Sequence, residues 1–322
     1  MLVPLFENGK GDGGAVSGLD RVILGVNHQF LYQEAMTDAV AHTKTLAILA
    51  ENPEVEALDC WVWAAHSREE LAILRSCGKQ IHYNIGDRIG EVPVFPATAD
   101  AGERAYALEI LKRETEFAVE SGAVKIVFGS GRDVLEGRDE AKKRFEEFVL
   151  RWSEWIPKDV WLTLEPTDRD VDKHFLFGGM EETCQTVRSI RKAGMDRMGI
   201  LLDMGHIPIM HETPESAAAA GGALLEHIHL GNCVLRSKED PYYGDKHPCW
   251  GYAGGEYDEK DGEVFLRELL RCGYFTKGRD RTVSFEMRPL MGKTPEESVT
   301  YLVNWFRNVY KLERLGKTPV CG

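Results

Sequence analysis

The sequence predicts an α/β protein folded as one (β/α)8 TIM barrel. Three observations carry this. Eight short apolar runs are rich in β-branched and aromatic residues, helical patterns lie between them, and no linker composition interrupts the 322 residues. Barrels of this kind run well past 200 residues as one unit, so the length does not demand two domains. An open doubly wound sheet is the alternative, but no run is followed by the full G-x-G-x-x-G turn of a dinucleotide site, and GSGRD (129–133) reads as a plain turn.

The runs are RVILGVN (21–27), ALDCWVW (57–63), KQIHYNI (79–85), AVKIVFG (123–129), VWLTLEP (160–166), MGILLDM (198–204), EHIHLGN (226–232) and RTVSFEM (281–287). Their length and composition are those of strands buried on both faces. Helical spacing follows in 34–51, 67–78, 101–122, 140–156, 181–194 and 262–273. Ser67 is the expected N-cap of the second, and Gly78 and Gly122 are the expected C-caps of the second and third. ETPESA (212–217) and KTPEES (293–298) place Thr before Pro, the pattern of a helix start. Long βα connections span 86–98, 166–179 and 232–261. In a barrel they lie at the C-terminal face, where active sites are built.

Composition narrows the function classes. There are 52 acidic against 39 basic residues, a net charge of −13, which weighs against a nucleic-acid partner. No stretch approaches the length of a membrane span, so no membrane partner is expected. Seven scattered cysteines without C-x-x-C spacing read as reduced thiols in a cytoplasmic protein. Residues 1–20 show no secretory pattern and are expected to form an N-terminal arm ahead of a barrel domain at 21–322.

The informative residues are polar groups at strand ends. They are Glu165, Asp203 with His206 three residues on, His227 with His229, and Glu286 with Arg288. Alternation along a strand sends His227 and His229 to one side, as it does Thr163 with Glu165 and Ser284 with Glu286. If that side is the barrel interior, Glu165, Asp203, His229 and Glu286 converge at its mouth. Three carboxylates beside one imidazole repel each other unless a cation joins them. Oxygen donors with one nitrogen suit one divalent cation, Mn²⁺ or Mg²⁺ first, with Co²⁺ or Zn²⁺ as alternatives. Each residue taken alone also has a bland role as a cap, ion pair or loop anchor, and His227 reads as a hydrogen-bonded interior histidine.

Together, LTLEP, DMGH, HIHLGN and SFEMRP resemble the xylose-isomerase-like barrels, also called the sugar phosphate isomerase/epimerase group. Order and spacing resemble the ketohexose 3-epimerases. That resemblance implies Glu165, Asp203, His229 and Glu286 as ligands of Mn²⁺, Glu165 and Glu286 as catalytic acid and base, and His206 as a contact to a substrate oxygen. Arg236 stands one residue further from the histidine than the substrate-binding arginine of that pattern. The loop after the seventh run is similar to that of the α subunits of C-glycoside deglycosidases, which use a small second subunit to cleave the C–C bond of a 3-oxo-glycoside.

The expected activity is therefore abstraction of a proton next to a sugar carbonyl. Reprotonation gives isomerase or epimerase chemistry, and expulsion of a β-substituent gives lyase chemistry. The substrate is a neutral sugar or glycoside, because Arg236 and Arg288 are the only cations placed to help an anionic one. His247 and Trp250 in the long loop are expected to wall the substrate, with Tyr242, Tyr243 and Tyr252. The chain is expected as a homo-oligomer or with a small second subunit. The competing classes are a metal phosphodiesterase acting on abasic DNA and a non-catalytic sugar-binding subunit.

Overall fold

The computed structural model describes residues 21–86, 96–276 and 280–314. The expected arm at 1–20, most of the connection 86–98 and the last eight residues lie outside the described residues. Eight strands close a parallel barrel in chain order: β1 (Val22–Asn27), β2 (Ala57–Cys60), β3 (Gln80–Asn84), β4 (Lys125–Gly129), β5 (Trp161–Glu165), β6 (Met198–Asp203), β7 (Leu225–Leu230) and β8 (Arg281–Phe285). A main helix follows each strand: α1 (Ala39–Glu51), α2 (Ser67–Ser76), α3 (Ala101–Ser121), α4 (Arg138–Trp152), α5 (Met180–Lys192), α6 (Pro214–Gly221), α7 (Glu259–Arg271) and α8 (Pro295–Arg314). The single barrel expected from the sequence is the fold found.

The helix starts show where local chemistry sets the boundary. The pattern from 34 onward becomes helix only at Ala39, because the Asp38 side chain accepts from the Val40 and Ala41 amides and caps it there. Ser67 is the first helical residue of α2, with His66 at the N-cap, and its hydroxyl donates back to Ala64 O. Thr213 forms a capping box with Ser216 at α6. Thr294 and Glu297 exchange the same pair of bonds at α8. Gly122 ends α3 with φ 78°, in the left-handed region that favours glycine. Among the described residues no helix is long and apolar enough to cross a membrane.

Outward strand side chains such as Ile126, Leu162, Leu202, Ile228 and Val283 pack with helix residues including Phe145, Trp152, Val187, Phe265 and Phe306 in one core. The inside of the barrel is polar instead. Asp59, His82, Lys125, His227, Thr282 and Ser284 fill it, all buried. A register shift between Ile200 and Leu201 sets Asp203 level with His229. Continued from the Ile200–Leu225 pair without that shift, Asp203 would face Ile228 and the two polar side chains would not share a layer.

The polar filling leaves little room beside β1. A Cβ on Gly25 would press on the Ser284 hydroxyl and stand 3.0 Å from Ala57 O. Gly25→Ala is expected to lose about 1–3 kcal/mol of stability through overpacking. Urea denaturation would measure the loss, with far-UV circular dichroism confirming an intact barrel.

Candidate active site

Four strands deliver the expected polar residues to one place. Glu165 ends β5, Asp203 ends β6, His229 lies near the end of β7 and Glu286 directly follows β8. One donor atom from each lies within 4.8 Å of the other three. His229 Nδ1 stands 2.5 Å from Glu286 Oε2, 3.7 Å from Asp203 Oδ2 and 3.9 Å from Glu165 Oε1. Asp203 Oδ2 is buried with no amide, imidazole or hydroxyl donor on it, and only the Glu286 carboxyl shares a proton with Asp203. A buried carboxylate oxygen left so, facing two more carboxylates, fits a bound cation: the donor set is one nitrogen and three carboxylates.

Proton affinities follow from this crowding. Burial, helped by the facing Asp203 carboxylate, pushes the Glu286 carboxyl well above its ordinary value against the pull of His229. Asp203 is held below its ordinary value. Burial opposes its ionisation, but His206 and the other groups around it outweigh burial. The His229 imidazole is raised well above its usual value although burial opposes this, because Glu286 and Asp59 both favour its charged form.

Residues not read as functional in the sequence support these four. Asn27, at the end of β1, donates to Glu286 Oε1 at 2.6 Å. Asp59, on β2, accepts from His229 Nε2 at 3.0 Å. The glycines of DMGH and HIHLG make room for Asp203: a Cβ on Gly231 would stand 2.7 Å from its Oδ1, and one on Gly205 3.0 Å from it. Asp59 carried the same signal as the four, a carboxylate inside an apolar run.

Above the cradle opens a cavity of about 310 Å³, lined in part by Phe30, Trp61, Phe175, Lys173, Lys246 and Arg288, together with Glu165, His206, Asp245, His247 and Glu286. His206 Nε2 and His247 Nε2 lie 3.0 and 2.7 Å from Asp245 Oδ1. His247 holds φ 49°, a strained backbone for a non-glycine residue, and its ring packs on Phe30 at 4.0 Å. Asp203, His206 and His247 form a second group whose donor atoms lie close enough for an ion.

The long loop divides into two parts. The Val234–Gly244 bridge closes off 235–243 as an outward excursion and returns Asp245 to His247 to the barrel mouth. Arg236 therefore lies outside the cavity, with a largely exposed side chain 3.7 Å from Glu256. Trp250 also lies outside it. The ring is buried against Trp305, and Nε1 donates to Gly231 O at 3.0 Å, so this apolar side chain belongs to the core. Tyr242 packs beneath the Arg288 guanidinium at 4.6 Å and against Tyr252 at 5.1 Å. The aromatic wall is built instead by Phe30, Trp61 and Phe175, from three other connections.

A family model described as the xylose isomerase-like TIM barrel matches residues 73–308. The chain belongs to the xylose isomerase-like TIM barrel family. No curated protein sequence matches it. Among solved structures, D-psicose 3-epimerase from Clostridium cellulolyticum H10 is similar at 15% identity and TM-score 0.62, over 91% of this chain and 99% of that one. A 3-keto-D-glucoside 4-epimerase from E. coli is similar at 14% and 0.60, over 89% and 100%. A family 2 AP endonuclease from Brucella melitensis is similar at 14% and 0.62, over 90% and 99%. At these identities the likeness is one of fold.

If the cradle holds a cation, binding stabilises the folded chain. Added Mn²⁺ at about 100 times its Kd is expected to contribute about 2.7 kcal/mol, read as a rise in Tm that EDTA reverses. Asp203→Ala is expected to abolish that rise.

Proposed function

We propose that the chain is a divalent-metal-dependent enzyme of the sugar isomerase or epimerase type, acting on the carbon next to a sugar carbonyl. The observation that carries this reading is the Glu165–Asp203–His229–Glu286 cradle beneath a cavity, one nitrogen and three carboxylates with donor atoms within 4.8 Å of one another. A bound cation, Mn²⁺ or a similar divalent ion, would supply Lewis-acid stabilisation of the charge that develops on the carbonyl oxygen. Glu165 and Glu286 sit three strands apart around the barrel and share the roles of base and acid at that carbon. His206 and His247 reach the cavity wall where substrate hydroxyls would lie, and Phe30, Trp61 and Phe175 offer a face for a sugar ring or an aromatic aglycone.

From the deprotonated carbon two outcomes are open to these residues. Return of the proton gives an isomer or epimer. Departure of a group β to the carbonyl gives elimination, the chemistry of a deglycosidase on a 3-oxo-glycoside. The epimerase names among the similar folds support the first. The second would call for a small partner chain, so the reading includes either a homo-oligomer or such a hetero-complex, separable by sedimentation.

A second reading is favoured by one observation. Asp203, His206 and His247 form another donor group beside the cradle, and paired ions are a device of phosphodiester hydrolysis. Cleavage of abasic DNA with more than one ion per chain would support it, against the repulsion expected of a net charge of −13.

Glu286→Gln is expected to keep its cation by elemental analysis while turnover falls at least about 100-fold. Deuterium uptake from D2O at the carbon next to the ketose carbonyl should be lost with it. Full turnover in the variant would sink the acid–base scheme.

A further inference from the structure

We infer that Asp59 is a positioning residue that fixes the ring and tautomer of His229 so that Nδ1 is aimed at the cation cradle. The inference rests on reading that cradle as a cation site. Asp59 is fully buried on the barrel axis. Oδ1 accepts from His227 Nε2 at 2.7 Å and from His229 Nε2 at 3.0 Å. Oδ2 faces His82 Nδ1 at 3.2 Å and accepts from the Ser284 hydroxyl at 2.5 Å. An imidazole that gives its Nε2 proton to a carboxylate keeps its Nδ1 lone pair for a metal, which is how outer partners orient ligand histidines.

These bonds continue to the barrel floor. Lys125 Nζ has only protons to give, and it donates to Thr282 Oγ1. The Thr282 hydroxyl proton is then free for His227 Nδ1, 2.7 Å away. His227 Nε2 faces Asp59 Oδ1 at 2.7 Å, where an ionised carboxylate can only accept, so the proton of that bond belongs to His227. Asp59 is left as the acceptor at the junction, and the N–H of His229 is the remaining donor to Oδ1. A chain of polar groups thus runs from Lys125 through Thr282, His227 and Asp59 to His229, with Asp59 the acceptor from both imidazoles. A carboxylate serving only to satisfy its neighbours would not require His229 to be one of them.

The test uses the full chain and Mn²⁺ alone as probe. Calorimetric titration of Asp59→Asn is expected to show a Kd weakened about 10- to 100-fold. Long-range ¹H–¹⁵N spectra of the metal-free chain, taken at a pH high enough to make His229 neutral and assigned with a His229→Gln variant, are expected to show Nε2–H on His229 in the parent and to lose it in Asp59→Asn. Should Asp59→Asn not fold, Thr282→Val decides: it cuts the chain two links from Asp59, at the bond to His227, with an expected weakening of about threefold or more. A folded Asp59→Asn that binds Mn²⁺ like the parent, or an unchanged Thr282→Val where that variant decides, overturns this inference alone. A parent chain that binds no Mn²⁺ overturns the cation reading and this inference with it.

Discussion

The site depends on one electrostatic constraint. Glu165, Asp203 and Glu286 are buried together around His229, with His206 at the edge, 3.6 Å from Glu165. Burying a charge costs several kcal/mol unless it is paired, and one imidazolium offsets one carboxylate of three. Raising the proton affinity of Glu286 relieves part of the repulsion, yet three carboxyl groups still crowd one imidazole. A divalent cation compensates all four donors at once. The surrounding design follows from keeping that arrangement open: Gly205 and Gly231 leave space for Asp203, Asn27 holds Glu286, and the β6–β7 shift brings Asp203 level with His229.

The barrel makes such a cluster affordable because its interior is itself polar. Barrels are commonly filled by branched apolar side chains. Here the layer below the cradle holds Asp59 surrounded by His82, His227, His229 and Ser284, with Lys125 and Thr282 beneath. Burial opposes ionisation of Asp59, but the facing imidazoles of His227 and His82 and the hydrogen bonds it accepts hold it below the ordinary carboxylate range. An apolar floor would leave His229 free to rotate. A hydrogen-bonded floor ties its orientation to several strands.

The strands and the four cradle residues were legible because both signals are local. A carboxylate or histidine closing a β-branched run is visible in the sequence, and four such runs in succession reinforce one another. Asp59 and Asn27 carried a similar signal in the first half of the chain, but a carboxylate and an amide on their own strands suggested no shared partner. The long loop was the least legible. Its aromatic content pointed to a substrate wall, whereas the Val234–Gly244 bridge turns Arg236 outward and burial takes Trp250 into the core. Pairings between residues ten apart in a loop have no periodicity from which to read them. The walls formed by Phe30, Trp61 and Phe175 depend on the barrel closing and so leave no trace in any single segment.

The two donor groups at the mouth differ in whether they need an ion. Around Asp245 stand His206, His247 and Lys173, at 3.0, 2.7 and 3.4 Å. Burial opposes ionisation of Asp245, but His206, His247 and Lys173 together hold it well below its ordinary value, while Asp245 and Asp203 raise His206 well above its own. A protonated imidazole against one carboxylate is already neutral, and Lys173 adds a further positive charge, so this group needs no ion. The cradle has three carboxylates for one imidazole and no lysine among its donors. The charge arithmetic thus favours Glu165, Asp203, His229 and Glu286 over the Asp245 group as the place that would hold a cation. It leaves His206, Asp245 and His247 as a mutually hydrogen-bonded group beside it, satisfied without an ion, and this is why the sugar reading takes precedence over two-ion hydrolysis.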